Sequence, residues 1–308
     1  MAASPHERLP TQADPGASAV GQRARTDPWR VRSLVSADWL LNVVRGGEQA
    51  AIVDVSGSTA RPSRYDDGHI PGAICISTES VESDENEMNL FSGAELGAVF
   101  AAHGIRGDAL VVVTSEDMQA AARMWMALRV SGVADAVVLD GGNAEWRRRA
   151  FPMVADVPCA APADAASWAG RAAAVRRDLV VAMDAVPDAA SDDAVVVSTR
   201  SYAEFCGQVS GYPYIEAKGE IPGAVWGRCG SDAHHMEDYT DEHGCMKPLH
   251  VVFGWWAHVG ATPERHVIFY CGTGWRASYA MLIADLLGYA RVSLFDGGWF
   301  VWSRQRRE

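Results

Sequence analysis

The chain has 308 residues, enough for two domains of ordinary size, with 48% hydrophobic and 21% charged residues. That balance describes a globular protein, and no apolar run reaches the ~18 residues that a membrane-spanning helix needs. A net charge of -12 excludes nucleic acid as a main partner, because phosphate binding needs clustered Lys and Arg; a small anionic substrate needs only one local positive site.

Residues 1–30 are rich in Ala, Pro, Ser and Arg, lack the apolar core of a secretory signal, and are expected to form a disordered leader. Six scattered cysteines (Cys75, Cys159, Cys206, Cys229, Cys245, Cys271) then read as free thiols in a reducing cytoplasm. "AIVDVS" (51–56) predicts a strand and "DGHIPGA" (67–73) a turn. "VVVTSEDMQAAARMWMALRVSGVADAVVLDGGNAEW" (111–146) reads as strand, polar turn, helix with apolar residues at i, i+3, i+4, a second strand, then Asp-Gly-Gly and an aromatic helix start. "AFPMVADVPCAAPADAASWAGR" (150–171), rich in Ala and Pro, reads as a linker.

After it the pattern recurs. "VVVSTR" (195–200) answers the first strand and "KGEIPGA" (218–224) the turn. "VIFYCGTGWRASYAMLIADLLGYARVSLFDGGWFVW" (267–302) then repeats 111–146 without a gap, 156 positions later. Strands alternating with helices predict an α/β protein of two domains, each a parallel sheet flanked by helices on both faces. The expected division is a leader at 1–30, an N-terminal domain at 31–150, a linker at 151–174 and a C-terminal domain at 175–308.

In the second copy Cys271 stands where the strand "HVIFY" ends, ahead of the helix "RASYAMLIADLL". Gly272 and Gly274 let the backbone wrap and turn its amides inward. Those N–H groups, the positive helix terminus and Arg276 favour a thiolate, so a nucleophilic cysteine in a ring of donors is expected. A tyrosine-phosphatase cradle places five residues between its Cys and Arg; here four intervene. The tighter loop suits a single extra atom, such as the outer sulfur of a persulfide. In the first copy Cys271 maps to Ser115 and the loop reads "SEDMQA": both glycines are gone, Ala120 replaces Arg276, and Glu116 and Asp117 add negative charge. That domain is expected to be an inactive scaffold walling one side of the site.

Over roughly residues 32–305 the chain resembles a tandem-domain rhodanese, or sulfurtransferase, through "GHIPGA" (68–73), "GEIPGA" (219–224), "CGTGWR" (271–276) and two "DGG" turns (140–142, 296–298). "CGTGWRAS" with residues 211–238 is similar to a bacterial thiosulfate sulfurtransferase subgroup. The resemblance implies that Cys271 takes a sulfane sulfur from a small anionic donor such as thiosulfate and passes it to a thiophilic acceptor. No metal or organic cofactor is implied. Arg276 would orient the donor, Thr273 would offer a hydroxyl, and Gly272, Gly274 and Trp275 would complete the lining.

Arg200 corresponds to the arginine of the family's Asp-x-Arg, which grips the donor's anionic tail. Ser198 stands in place of that Asp, and Glu204 lies near the place of a second gripping arginine; Arg228, beside Trp226, is the candidate replacement. His69 keeps mercaptopyruvate open as a donor, because in sulfurtransferases for that substrate this histidine is thought to reach a loop hydroxyl. A relay between a cysteine desulfurase and a sulfur-carrier protein is the further alternative. His234, His235, His243, Cys229 and Cys245 lie close together but lack zinc-type spacing, so a polar loop is the preferred reading.

Overall fold

The computed structural model describes residues 33–47, 49–56, 64–155, 162–163, 165–168, 176–186 and 193–305. The expected leader and Cys159 lie outside the described residues.

In the first half, strands β1 (Leu34–Val35), β2 (Ala50–Ser56), β3 (Ala73–Ser77), β4 (Leu110–Ser115) and β5 (Ala136–Leu139) form one parallel sheet in the order β1-β5-β4-β2-β3. Helices α1 (Ala37–Gly46), α2 (Gly93–Ala102), α3 (Met118–Ser131) and α4 (Gly142–Arg148) connect them. The second half repeats the plan. Strands β6 (Val180–Val181), β7 (Ala194–Ser198), β8 (Val225–Trp226), β9 (His266–Tyr270) and β10 (Val292–Phe295) are ordered β6-β10-β9-β7-β8, again all parallel. Its helices are α5 (Tyr202–Phe205), α6 (Leu249–His258), α7 (Trp275–Leu286) and α8 (Gly298–Gln305).

Central strands such as β4 and β9 are apolar runs because both of their faces are covered. Val111 and Val113 join one cluster with α2 and α3, while Val112 turns to the opposite cluster with Leu40 of α1 and Trp146 of α4. In the second sheet Val267 and Phe269 face α7, and Ile268 and Tyr270 face Trp299 and Trp302 of α8. Local signals place the helix ends: Ser36 caps α1, Ser92 and Glu95 form a capping box on α2, and Gly47 ends α1 in a left-handed turn.

One core cluster runs through both halves, because α3 packs on α7. At this seam Leu90 N donates to Asp296 (2.7 Å) and Met246 N to Asp140 (2.7 Å). These two bonds are mates, each 156 positions from its counterpart. The described part of the expected linker lies back on the first half: Ala163 N donates to Ala101 O, and the Trp168 indole to Ile105 O. Among the described residues no helix is long and apolar enough to cross a membrane.

Candidate active site

Cys271 follows β9 directly and is wholly buried. The carbonyls of Cys271 and Gly272 accept from the backbone amides of Trp299 (2.8 Å) and Phe300 (3.0 Å) at the start of α8. In a trans peptide the C=O and N–H point oppositely. The amides of Gly272 and Thr273 are therefore turned away from α8. Gly274 is the N-cap of α7, with φ +86° and no side chain to close the helix end. The first-turn amides thus lack a side-chain cap.

The matching loop of the first half is filled from within. The Ser115 hydroxyl donates to Val55 O (2.9 Å) and accepts from Asp117 N (3.1 Å), while the Asp117 carboxylate caps α3 through Gln119 N (2.9 Å). Glu116 is paired with Arg147. One backbone plan therefore yields a self-satisfied loop at Ser115 and an uncapped one at Cys271.

Gly274 also tests how tightly the ring is built. A Cβ there would come within 2.6 Å of Arg123 Nη1, and closer still to Asp296 Oδ1. The left-handed φ adds a penalty of about 1–3 kcal/mol for other residues. Gly274→Ala is expected to lower the melting temperature and to erase any chemistry of the loop, measured by thermal unfolding and by Cys271 labelling. Gly272 is equally confined, since a Cβ would run into the Tyr212 ring.

Arg276, expected to orient the donor, is engaged by the protein's own side chains. It is fully buried and bidentate to Glu204, Nη1 to Oε2 at 2.8 Å and Nη2 to Oε1 at 2.9 Å, with Nη1 also donating to Asp232 O. Burial would push the Glu204 carboxyl up, but Arg276, helped by Ser201 and Arg200, outweighs it and brings it down to about 2. Arg200 is likewise buried. It donates to Gly219 O (2.8 Å) and Glu204 (3.4 Å), lies 3.7 Å from Glu220, and sits over the Trp299 ring. Burial pushes Glu220 up to about 7, against the pull of Arg200. Both expected anion-gripping arginines are thus committed to carboxylates.

The other candidates divide. Thr273 is buried in the loop opposite Tyr214, whose ring stacks on Tyr212. Trp275 spends its indole N–H on Glu82 of the first half (2.6 Å). Arg228 is seated over Trp226 and Trp255 with Asp238 at 3.7 Å, none of which belongs to the Cys271 loop. His69 stays in the first half: it pairs with Val154, stacks on Tyr65, and its Nδ1 donates to Tyr65 O (3.0 Å). None of these contacts brings it to Thr273. Burial pushes the Cys229 thiol well up and the Cys245 thiol up to about 12, so neither is a ready nucleophile. Among the described residues no cluster of three His, Cys, Asp or Glu is placed to hold a metal.

Reading the sequence missed Glu204 as the partner of Arg276, and Glu82, Arg123, Tyr212 and Tyr214 around the loop. The available signal for Glu204 was the capping box it forms with Ser201. Beside this network lies a cavity of about 330 Å³ lined by Ser201, Glu204, Tyr212 and Asp232 among others, with no Lys or Arg in its wall.

Known proteins share this architecture. The thiosulfate sulfurtransferase YnjE of Escherichia coli K12 is 38% identical over 286 residues, covering 88% of this chain and 63% of the relative's own length. Its crystal structure superposes with a TM-score of 0.81 at 36% identity, covering 90% of this chain and 67% of that one. A cysteine-persulfide form of an EanB variant with ergothioneine gives 0.80 at 33% identity, covering 89% and 69%. The anaerobic ergothioneine biosynthesis enzyme from Chlorobium limicola, in complex with trimethyl histidine, gives 0.78 at 34%, covering 90% and 69%. The model of the rhodanese-like domain matches twice, over residues 36–149 and 183–305, which are the two halves built around the sheets described above. With both halves matched, and with such relatives across most of its length, the chain belongs to the rhodanese-like domain family.

Proposed function

We propose that the protein is a sulfurtransferase working through a persulfide on Cys271. The observation that carries this is the contrast between the two loops: amide donors left uncapped around Cys271, and their counterparts consumed by side chains around Ser115. The Cys271 thiolate attacks the outer sulfur of a sulfane donor, the donor's S–S bond breaks, and with thiosulfate the leaving group is sulfite. The terminal sulfur of Cys271–S–S⁻ rests among the loop amides until a nucleophilic acceptor attacks it and restores the thiolate.

Thiosulfate is the favoured donor, because the E. coli relative bears that activity in its name. Since Arg276 and Arg200 are already paired, the anion would depend on the loop amides and the α7 terminus. Mercaptopyruvate loses support, because His69 is held in the first half. A relay from a cysteine desulfurase to a carrier protein uses the same persulfide. A second reading of the acceptor draws on the cavity wall, where Asp232 and the Tyr212 ring favour a compound bearing a quaternary ammonium group, such as the trimethyl histidine held by the Chlorobium enzyme. Cys206, Cys229, Cys245 and Cys271 are free thiols, consistent with work in a reducing cytoplasm.

The test is to incubate the protein with thiosulfate, remove the excess and weigh it intact. A gain of one sulfur, about 32 Da, that cyanide reverses is the expected result. Loading by mercaptopyruvate or a desulfurase alone overturns only the donor. If none of the three loads Cys271, the sulfurtransferase reading is wrong.

A further inference from the structure

The sulfur-carrying loop is gripped from the opposite half. Trp275, the first residue of α7, donates its indole N–H to Glu82 Oε1 at 2.6 Å, and the other Glu82 oxygen accepts from Arg123 Nε at 2.6 Å. Arg123 continues to Asp296 through Nη1 and to Met88 O through Nη2 (2.8 Å). Glu82, Arg123 and Asp296 are 6%, 0% and 2% exposed. Gly274 lies directly on this chain, with room for no side chain between its backbone and Arg123 or Asp296. The clamp therefore touches the loop at two neighbouring residues, one by hydrogen bond and one by close packing.

The internal repeat supplies a control. The seam bonds Leu90 N to Asp296 and Met246 N to Asp140 are repeat mates, so the interface is roughly symmetric there. At the clamp the symmetry breaks. The mate of Arg123 is Tyr279 and the mate of Trp275 is Gln119, neither of which can rebuild the indole–carboxylate–guanidinium chain. The charged clamp faces the Cys271 loop and has no twin at the Ser115 loop, which an interface brace alone does not require.

We propose that Glu82 is a positioning residue for sulfur transfer: by holding Trp275 it fixes the Cys271 ring, so the half without Cys271 is part of the catalytic machinery. The role rests on the Cys271 reading above, and acts through Trp275 without touching the donor.

Two variants test it, Glu82→Ala and Trp275→Phe; the second removes the indole N–H with part of the ring and leaves the Glu82–Arg123–Asp296 chain intact. Asp285→Asn is the control, weakening the same seam at its bonds to Ser33 (2.6 Å) and Arg129 (3.8 Å), far along α7 from the loop. Two rates are read well below the melting temperature: persulfide formation with thiosulfate, and alkylation of Cys271 by iodoacetamide. With the ring loosened, each clamp variant is expected to load sulfur roughly tenfold slower and to be alkylated roughly tenfold faster. The double variant should match Glu82→Ala alone, because both changes remove one shared bond. Asp285→Asn should leave both rates unchanged.

Equal effects from Asp285→Asn would reduce Glu82 to a brace of the interface and overturn the proposal. So would parent-like alkylation in Trp275→Phe. If the parent never loads sulfur, the sulfurtransferase reading falls by itself, and the alkylation rates still decide whether Glu82 holds the loop.

Discussion

Cys271→Ser is expected to fold like the parent and to take up no sulfur. The chain already contains the relevant comparison. Ser115 occupies the same backbone position in the first half, buried, with its hydroxyl donating to Val55 O and accepting from Asp117 N. A serine is thus compatible with the strand-to-helix turn, and exchanging one buried sulfur for oxygen costs on the order of 1 kcal/mol, a shift of a few degrees in melting temperature. Chemistry is another matter. A serine hydroxyl holds its proton far above neutral pH and offers no sulfur with which to form a persulfide. Intact mass after thiosulfate treatment should show the added sulfur on the parent alone. Sulfur on the variant would move the carrier to one of the other thiols, of which Cys75 and Cys206 are exposed.

The reciprocal change shows why one residue does not make the site. Ser115→Cys would place a thiol in a loop whose helix end is capped by Asp117 and whose next residue, Glu116, carries charge paired with Arg147. Those side chains occupy the donors that an outer sulfur would need.

What the sequence revealed and what it hid separate along physical lines. The repeat at 156 positions exposed both sheets, because strand and helix periodicities are local; "HVIFY" is β9 as expected, and α7 begins one residue before the predicted helix. The edge strands β1 and β6 are two residues long and carry no periodicity to find. The candidate nucleophile Cys271 was legible because glycines and a helix start surround it within six residues. Its supports were not. Glu204 meets Arg276 across 72 positions and Glu82 meets Trp275 across 193, and no local pattern announces which charges will be buried together. Arg200 and Arg276 therefore read as donor-binding cations, whereas folding pairs both with carboxylates.

Glu204→Gln is expected to give the largest loss of stability among the variants considered. Glu204 is wholly buried and takes both terminal nitrogens of Arg276 while accepting from Arg200 and from the Ser201 backbone and hydroxyl. Removing its charge leaves two guanidiniums in the interior with too little compensation, a change worth about 3–5 kcal/mol in buried pairs. The acidity of Glu204 leads to a similar figure. A folded value of about 2 against an ordinary 4.5 corresponds to about 3 kcal/mol in favour of the folded state.

Because the folded value is depressed, that contribution is complete above about pH 4.5 and drains away as pH falls toward 2. Urea titrations of parent and variant should therefore differ most at pH 7 and converge near pH 2. A gap that stays constant through that range would mean that the Glu204 charge does not supply it. Sulfur loading at pH 7 is expected to fall as well, since Arg276 would lose the partner that fixes the start of α7. Faster loading by thiosulfate, despite lower stability, would carry the opposite meaning: Glu204 would be restraining an arginine that an anionic donor prefers to find free.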